Sequence, residues 1–143
     1  MNLSNEQSKK LCAVQIDMLK AFIEICKNNN LQYYMLYGSA LGAVRHGGFI
    51  PWDDDIDVGM PREDYEKFRS IYVKKNLNAR YQLLDHENTS NYYNTFMKIH
   101  DTATLINEEW QMPGLGVNID IFPIDLIPSN KIIARLLYYI IFI

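Results

Sequence analysis

Asp53, Asp54, Asp55 and Asp57 place four carboxylates within five residues, and this run constrains the chain more than any other stretch. Two carboxylates about 4 Å apart repel by roughly 4 kcal/mol at an effective dielectric near 20. A folded chain that gathers them needs a compensating charge. A divalent cation is the cheapest one, and oxygen-only donors favour Mg2+ or Mn2+. A solvated acidic turn would need no ion, but this run leads directly into the alternating Ile56 and Val58. Such alternation is the mark of a half-buried strand. Residues 55–59 are therefore read as a strand, with Asp55 and Asp57 on one face and Ile56 and Val58 turned to the core. The Cα atoms of two such acids lie roughly 6–7 Å apart at strand rise. That spacing can bridge two metal ions about 3.5–4 Å apart. Asp53 and Asp54 precede the strand and are expected to support the loop or the ligands.

The residues ahead of the acids suggest an anion site. Residues 31–37 are aromatic and apolar and read as a buried strand closed by Tyr37. Gly38-Ser39 then forms a strand-to-helix turn before a helix-compatible segment at residues 40–44. Glycine allows close backbone approach, and a serine hydroxyl with helix N-terminal amides can hold a phosphate. The same dipeptide can simply cap a helix. Gly47-Gly48 and Pro51 make the following loop turn-rich.

Earlier in the chain, Ser4 and Gln7 have capping-box spacing. Leu11, Val14, Met18, Phe22 and Ile25 recur at three and four, so residues 5–27 read as a packing helix ended by Asn28-Asn29-Asn30. Later, residues 61–75 read as a helix with Glu63-Asp64 at its positive end and Lys74-Lys75 at its negative end. Short strands are expected at residues 81–84 and 96–99, the latter with a possible hairpin partner at 104–107. Residues 117–122 are a strand candidate with Asp120 at its centre, and Asp125 follows in a loop between Pro123 and Pro128. Ser129 is expected to cap an apolar final helix. The fold class expected is α+β: a mixed sheet with flanking helices, in a single domain over residues 1–143.

Composition narrows the function. The formal charge of −3 in 143 residues offers no basic face for nucleic acid. Cys12 and Cys26 would sit about 21 Å apart along one helix, too far for an intramolecular disulfide. Reduced thiols fit a cytoplasmic setting. The polar first ten residues lack the apolar core of a secretory signal. Residues 132–143 are nearly all apolar but shorter than the roughly 20 that a membrane span needs. They read as a helix whose packing surface lies beyond this chain, with contact to the inner membrane surface as the other use.

Three features align: a Gly-Ser turn after one strand, an Asp-Ile-Asp pair on a second, and Ile119-Asp120-Ile121 on a third. This resembles the nucleotidyltransferase superfold. LYGSALGAVRHGGFIPWDDDIDVGMPREDYEKF, FMKIHD and NIDIFPID more narrowly resemble the LicD family of phosphotransferases. The resemblance implies a nucleotidyltransferase-like catalytic domain, truncated at its C-terminus relative to family members. It also implies transfer of a phospho-headgroup, phosphocholine in the best-known members, from a CDP-linked donor such as CDP-choline to a sugar hydroxyl. The acceptor would be a cell-surface glycan, lipopolysaccharide or teichoic acid. The metal-binding and catalytic acids carry over onto Asp55, Asp57 and Asp120, and the glycine turn onto Gly38 and Ser39. Arg45 and Lys98 are the cations best suited to spread phosphate charge, and Trp52 is the candidate ring for a quaternary ammonium. His46 and His100 are expected to be structural or to stand behind the ligands. Asp125 is the alternative to Asp120 as third carboxylate. Rival readings are a glycosyltransferase that binds a nucleotide sugar through Asp53, Asp55 and Asp57, a transferase of the nucleotide itself, and a non-catalytic nucleotide-binding remnant.

Overall fold

A computed structural model describes residues 4–75, 79–107 and 112–141. Four helices and five strands follow one another as α1 (Asn5–Asn28), β1 (Tyr34–Met35), α2 (Tyr37–Arg45), β2 (Asp57–Pro61), α3 (Arg62–Lys75), β3 (Tyr81–Leu84), β4 (Met97–Asp101), β5 (Asn118–Ile124) and α4 (Lys131–Ile141). The strands form one mixed sheet in the order β1-β2-β5-β4-β3. Only β2 and β5 run parallel; the other neighbouring pairs are antiparallel. The α+β expectation holds.

Register divides the sheet into two chemically distinct faces. Val58 pairs with Ile121, Ile121 with Met97, and Ile119 with Ile99. These side chains share one face and join a single apolar core with Met18 and Phe22 of α1 and Phe68 of α3. The alternate positions carry Asp57, Asp120 and Lys98, which are register partners across β2, β5 and β4. Because side chains alternate with period two, the apolar face that anchors the core necessarily presents this polar set on the other side.

The local signals account for most element ends. Ser4 and Gln7 make the full capping box. Asn30 closes the turn after α1 with φ of 54°, a left-handed conformation that asparagine tolerates. Both cysteines are free, Cys26 buried and Cys12 partly so.

Several expectations change. The strand at residues 31–37 shrinks to Tyr34–Met35, an edge pairing with Gly59 and Val58. Tyr37 instead opens α2 with φ of 45°, its ring 69% exposed and edge-on to Phe122 at 5.6 Å. The strand carrying the acids begins at Asp57 rather than Asp55, and Pro61 ends it rather than starting α3. Residues 104–107 do not pair with β4. Thr104 Oγ donates to Asp101 O and accepts from Val117 N, while Ile106 N bonds Leu115 O, so this segment braces the entry to β5. Asn130, not Ser129, caps α4, accepting from Ile132 N at 3.0 Å. No helix among the described residues is long and apolar enough to cross a membrane. Ile132, Ile133 and Leu136 of α4 are nonetheless exposed.

Candidate active site

The site begins at the junction of α2 and β2. Ser39 Oγ accepts from Asp57 N at 2.9 Å and lies 3.5 Å from Asp55 O, to which it donates. The hydroxyl thus ties down the backbone on both sides of Ile56. Ser39 is occupied with positioning the two acids, a different task from the phosphate contact expected of it. Gly38 serves the same end. A Cβ there would overlap the Asp53 carboxylate, so the missing side chain is what lets Asp53 rest against α2. Gly38→Ala is expected to dislodge Asp53 and weaken Mn2+ affinity about tenfold or more, with little change in fold. Calorimetry and far-UV circular dichroism measure the two effects separately.

Asp57 and Asp120 are neighbours across the parallel pair, and Asp120 N donates to Ile56 O at 2.9 Å. Asp57 is buried at 9% exposure, whereas Asp55 stands in the preceding loop and remains accessible. Asp55 and Asp57 thus do not share a strand face as alternation predicted. The acids still feel one another. Loss of hydration, followed by the charges of Asp55, Asp120 and Asp53, pushes Asp57 up to about 7. Loss of hydration and then the charges of Asp53, Asp54 and Asp120 push Asp55 up to about 6. Asp53, read as an outlying loop acid, is part of this electrostatic group.

Lys98 supplies the opposing charge. Its Nζ donates to Asp120 Oδ1 at 2.5 Å and to Asn118 Oδ1 at 3.1 Å. Burial raises the Asp120 pKa more strongly than Lys98 lowers it. An ammonium has three N–H donors, and two acceptors engage it among the described residues. Asp125 is not part of this group: both its oxygens accept from Arg62, each at 2.7 Å, which holds its carboxyl below the usual range. His100 is buried, and its Nδ1 accepts from Gly116 N at 3.2 Å, a structural role.

A cleft of about 410 Å³ opens beside these groups. Asp55, Asp120 and Lys98 line it, together with the aromatic Tyr92, Tyr93 and Phe96. Trp52 is not among the lining residues; it is 78% exposed. Arg45 is also outside the cleft, exposed on the last turn of α2, where its Nε donates to His46 Nδ1. Trp52, expected to meet the ligand, thus stands apart from the aromatic wall of this cleft. Phe96 was legible only as a strand residue. It packs on Phe122 at 4.3 Å, and Lys98 Nζ lies 5.3 Å from its centroid. The run of Tyr92, Tyr93 and Phe96 within five residues was the available signal.

Among the described residues, no three acids, histidines or cysteines are already gathered into a coordination cage. The donor chemistry still fits a hard divalent ion. Asp55 and Asp57 are oxygen donors whose mutual repulsion a cation would relieve, and both precede or open the same strand. Asp120 is held by Lys98 on the adjoining strand.

Comparison with known proteins identifies the family. Residues 30–136 match the family described as LicD/FKTN/FKRP, nucleotidyltransferase domain. The lipopolysaccharide cholinephosphotransferase LicD of Haemophilus influenzae is 33% identical over 126 residues, covering 87% of this chain and 47% of that protein. The ribitol 5-phosphate transferase FKRP of Homo sapiens is 53% identical over 34 residues, covering 24% of this chain and 7% of that protein. The chain thus spans about half the length of the LicD relative. By the breadth of the match, the chain belongs to the LicD/FKTN/FKRP nucleotidyltransferase-domain family.

Proposed function

We propose that this domain transfers a phospho-headgroup, phosphocholine in the first instance, from a CDP-linked donor to a sugar hydroxyl of a cell-surface glycan. The observation that carries the reading is that Asp55, Asp120 and Lys98 line an aromatic-walled cleft, with Asp57 electrostatically coupled to Asp55 and Asp120, in a chain of this family. Phosphoryl transfer asks for positioning and charge stabilisation more than for covalent catalysis. Asp55 and Asp57 would hold Mg2+ or Mn2+, with Asp120 as the third carboxylate. When bound, the ion supplies positive charge to the donor diphosphate. Lys98 adds a fixed N–H donor for a phosphate oxygen. Tyr92, Tyr93 and Phe96 offer ring faces to a quaternary ammonium, worth about 0.5–2 kcal/mol.

In the reaction the acceptor hydroxyl oxygen bonds to the headgroup phosphorus. The bond from that phosphorus to the bridging oxygen breaks, CMP leaves with the electron pair, and a carboxylate of the cluster takes the hydroxyl proton. The work would take place in the cytoplasm. The exposed Ile132 and Leu136 of α4 are the surface through which a membrane would be approached.

The assay offers CDP-choline, CDP-ribitol and nucleotide sugars with a glycan acceptor and Mg2+, using the full-length protein where a longer chain exists. CMP release that disappears in Asp57→Asn is the expected result. Turnover limited to UDP- or GDP-sugars, with release of the nucleoside diphosphate, would mean that a glycosidic bond is being made. The glycosyltransferase reading would then replace this one.

A further inference from the structure

Helix α1 was read as packing alone, yet one residue on it reaches the acid loop. The buried residues of α1 are Leu11, Gln15, Met18, Phe22 and Cys26, a stripe at spacings of three and four. Gln15 is the polar member of that stripe, 2% exposed, at a position where an apolar side chain would pack. Its Nε2 donates to Asp54 O at 2.9 Å and to Asn118 O at 3.4 Å. Both partners are carbonyls, so neither can bond the other, and a primary amide has two hydrogens to offer them. The same pair fixes the orientation of the amide, because a flipped amide would set an oxygen against two oxygens. Oε1 is then buried without a hydrogen-bond partner among the described residues. That unpaired acceptor costs stability. What Gln15 contributes therefore lies with Nε2 and the two carbonyls it joins.

Those carbonyls sit where the sheet stops holding the acids. The register of β2 on β5 starts at Asp57 and Asp120, and Asp120 N donates to Ile56 O just ahead of it. Asp55 precedes this point and stands in the loop. Asp54 O belongs to the peptide that leads into Asp55. On the other side, Asn118 lies two residues before Asp120 on β5, and its Oδ1 accepts from Lys98 Nζ at 3.1 Å. We propose that Gln15 is a positioning residue: its amide clamps the backbone beside Asp55 to the strand that carries Asp120, so that the loop acid and the strand acids are presented together to a divalent ion. Gln15 itself touches no ligand. The inference rests on the reading of Asp55, Asp57 and Asp120 as the ion-binding acids, and adds the group outside their own segments that holds them in place. Groups that orient metal ligands from behind change affinity by about 10–100-fold when removed.

The test compares Gln15→Met with Leu11→Ala, one turn earlier on the same stripe and also lining the cleft. Calorimetry measures Mn2+ affinity, and thermal melts of the metal-free protein measure stability. Gln15→Met keeps the length of the side chain and removes both the clamp and the unpaired oxygen. It is expected to weaken Mn2+ binding about tenfold or more, with a melting temperature within about 3 °C of wild type. Leu11→Ala is expected to do the reverse: a melting temperature lower by about 5 °C or more, with Mn2+ affinity within about threefold. Loss of fold in Gln15→Met, or a fall in melting temperature as large as that of Leu11→Ala, would make Gln15 part of the scaffold and overturn the proposal. Unchanged Mn2+ affinity in Gln15→Met would overturn it too, while binding that wild type shows and Asp57→Asn lacks leaves the ion-site reading intact. A wild-type protein that binds no Mn2+, or binding that survives Asp57→Asn, removes both.

Discussion

Asp57→Asn is expected to raise the melting temperature of the metal-free protein at pH 8 while abolishing its binding of Mn2+. The two effects have one origin. Loss of hydration and the charges of Asp55, Asp120 and Asp53 hold the Asp57 carboxyl at about 7, well above its ordinary value of 3.8. A carboxyl whose pKa is raised on folding binds its proton more tightly in the native state. Stability therefore falls as pH rises from about 4 to about 7, and the full penalty is present at pH 8. Asn removes the charge and with it the penalty. Asp57 shares this titration with the acids around it, so a gain on the order of 1–3 kcal/mol, or roughly 3–10 °C, is the reasonable scale. The gain should vanish near pH 4, where the wild-type carboxyl is already protonated. Adding Mn2+ at pH 8 should stabilise wild type and leave Asp57→Asn unmoved. Thermal melts at both pH values, with and without Mn2+, decide the matter. A variant less stable than wild type at pH 8, or one that still binds Mn2+, would mean that Asp57 is held by unseen favourable contacts and that the ion site lies elsewhere. Asp85, Asp101 and Asp125 have lowered values through Arg69, Arg80 and Arg62. Their contribution is lost at acid pH below about 4 and does not mask the trend above it.

The capping box, the polar run that opens α3 and the Asp-Ile-Asp pattern were legible because each is set by neighbours within a few residues. Asp120 was legible by its position between two isoleucines that must face a core. What could not be read depended on contacts distant in sequence. Asp55 alternates correctly with Asp57, but β2 begins only where β5 can pair with it, and that register starts at Asp57. Tyr37 looked like the end of a strand, since nothing local announces a positive φ at an aromatic residue. Trp52 is next to the acids in sequence, yet Tyr92, Tyr93 and Phe96 are the rings that fold over the cleft, about 40 residues later. Ser39 was read as a phosphate contact or a helix cap because the Asp57 amide that engages it is 18 residues away. Gln15 sits among apolar neighbours on α1 and carries no motif; only its bonds to Asp54 and Asn118 reveal it.

Lys98→Met should destabilise the fold while leaving every proposed metal-binding carboxylate in place. Lys98 and Asp120 are both largely buried, at 15% and 17% side-chain exposure, and Nζ also engages Asn118. The pair adds little net stability, because burial has already cost both charges their hydration. Breaking it is another matter. Methionine fills the volume of the lysine stem but leaves Asp120 facing Asp57 and Asp55 without the ammonium that engaged it. Removing one partner of a buried pair costs about 3–5 kcal/mol, and the residual exposure here argues for the lower end. At pH 8 Lys98→Met is therefore expected to lose about 2–4 kcal/mol in urea unfolding. The loss should shrink toward pH 4 as the unpaired Asp120 takes up a proton. The double variant Lys98→Met/Asp120→Asn removes the stranded charge and should recover at least half of the loss. That recovery separates an electrostatic cause from simple damage to packing. If the double variant is as unstable as Lys98→Met alone, Lys98 matters for its stem and for Asn118, and the charge balance drawn for this site is wrong. Mn2+ provides an independent check. Lys98→Met should bind the ion more tightly than wild type, since a cation that competes for the same carboxylates has been removed, even as its capacity to turn over donor falls.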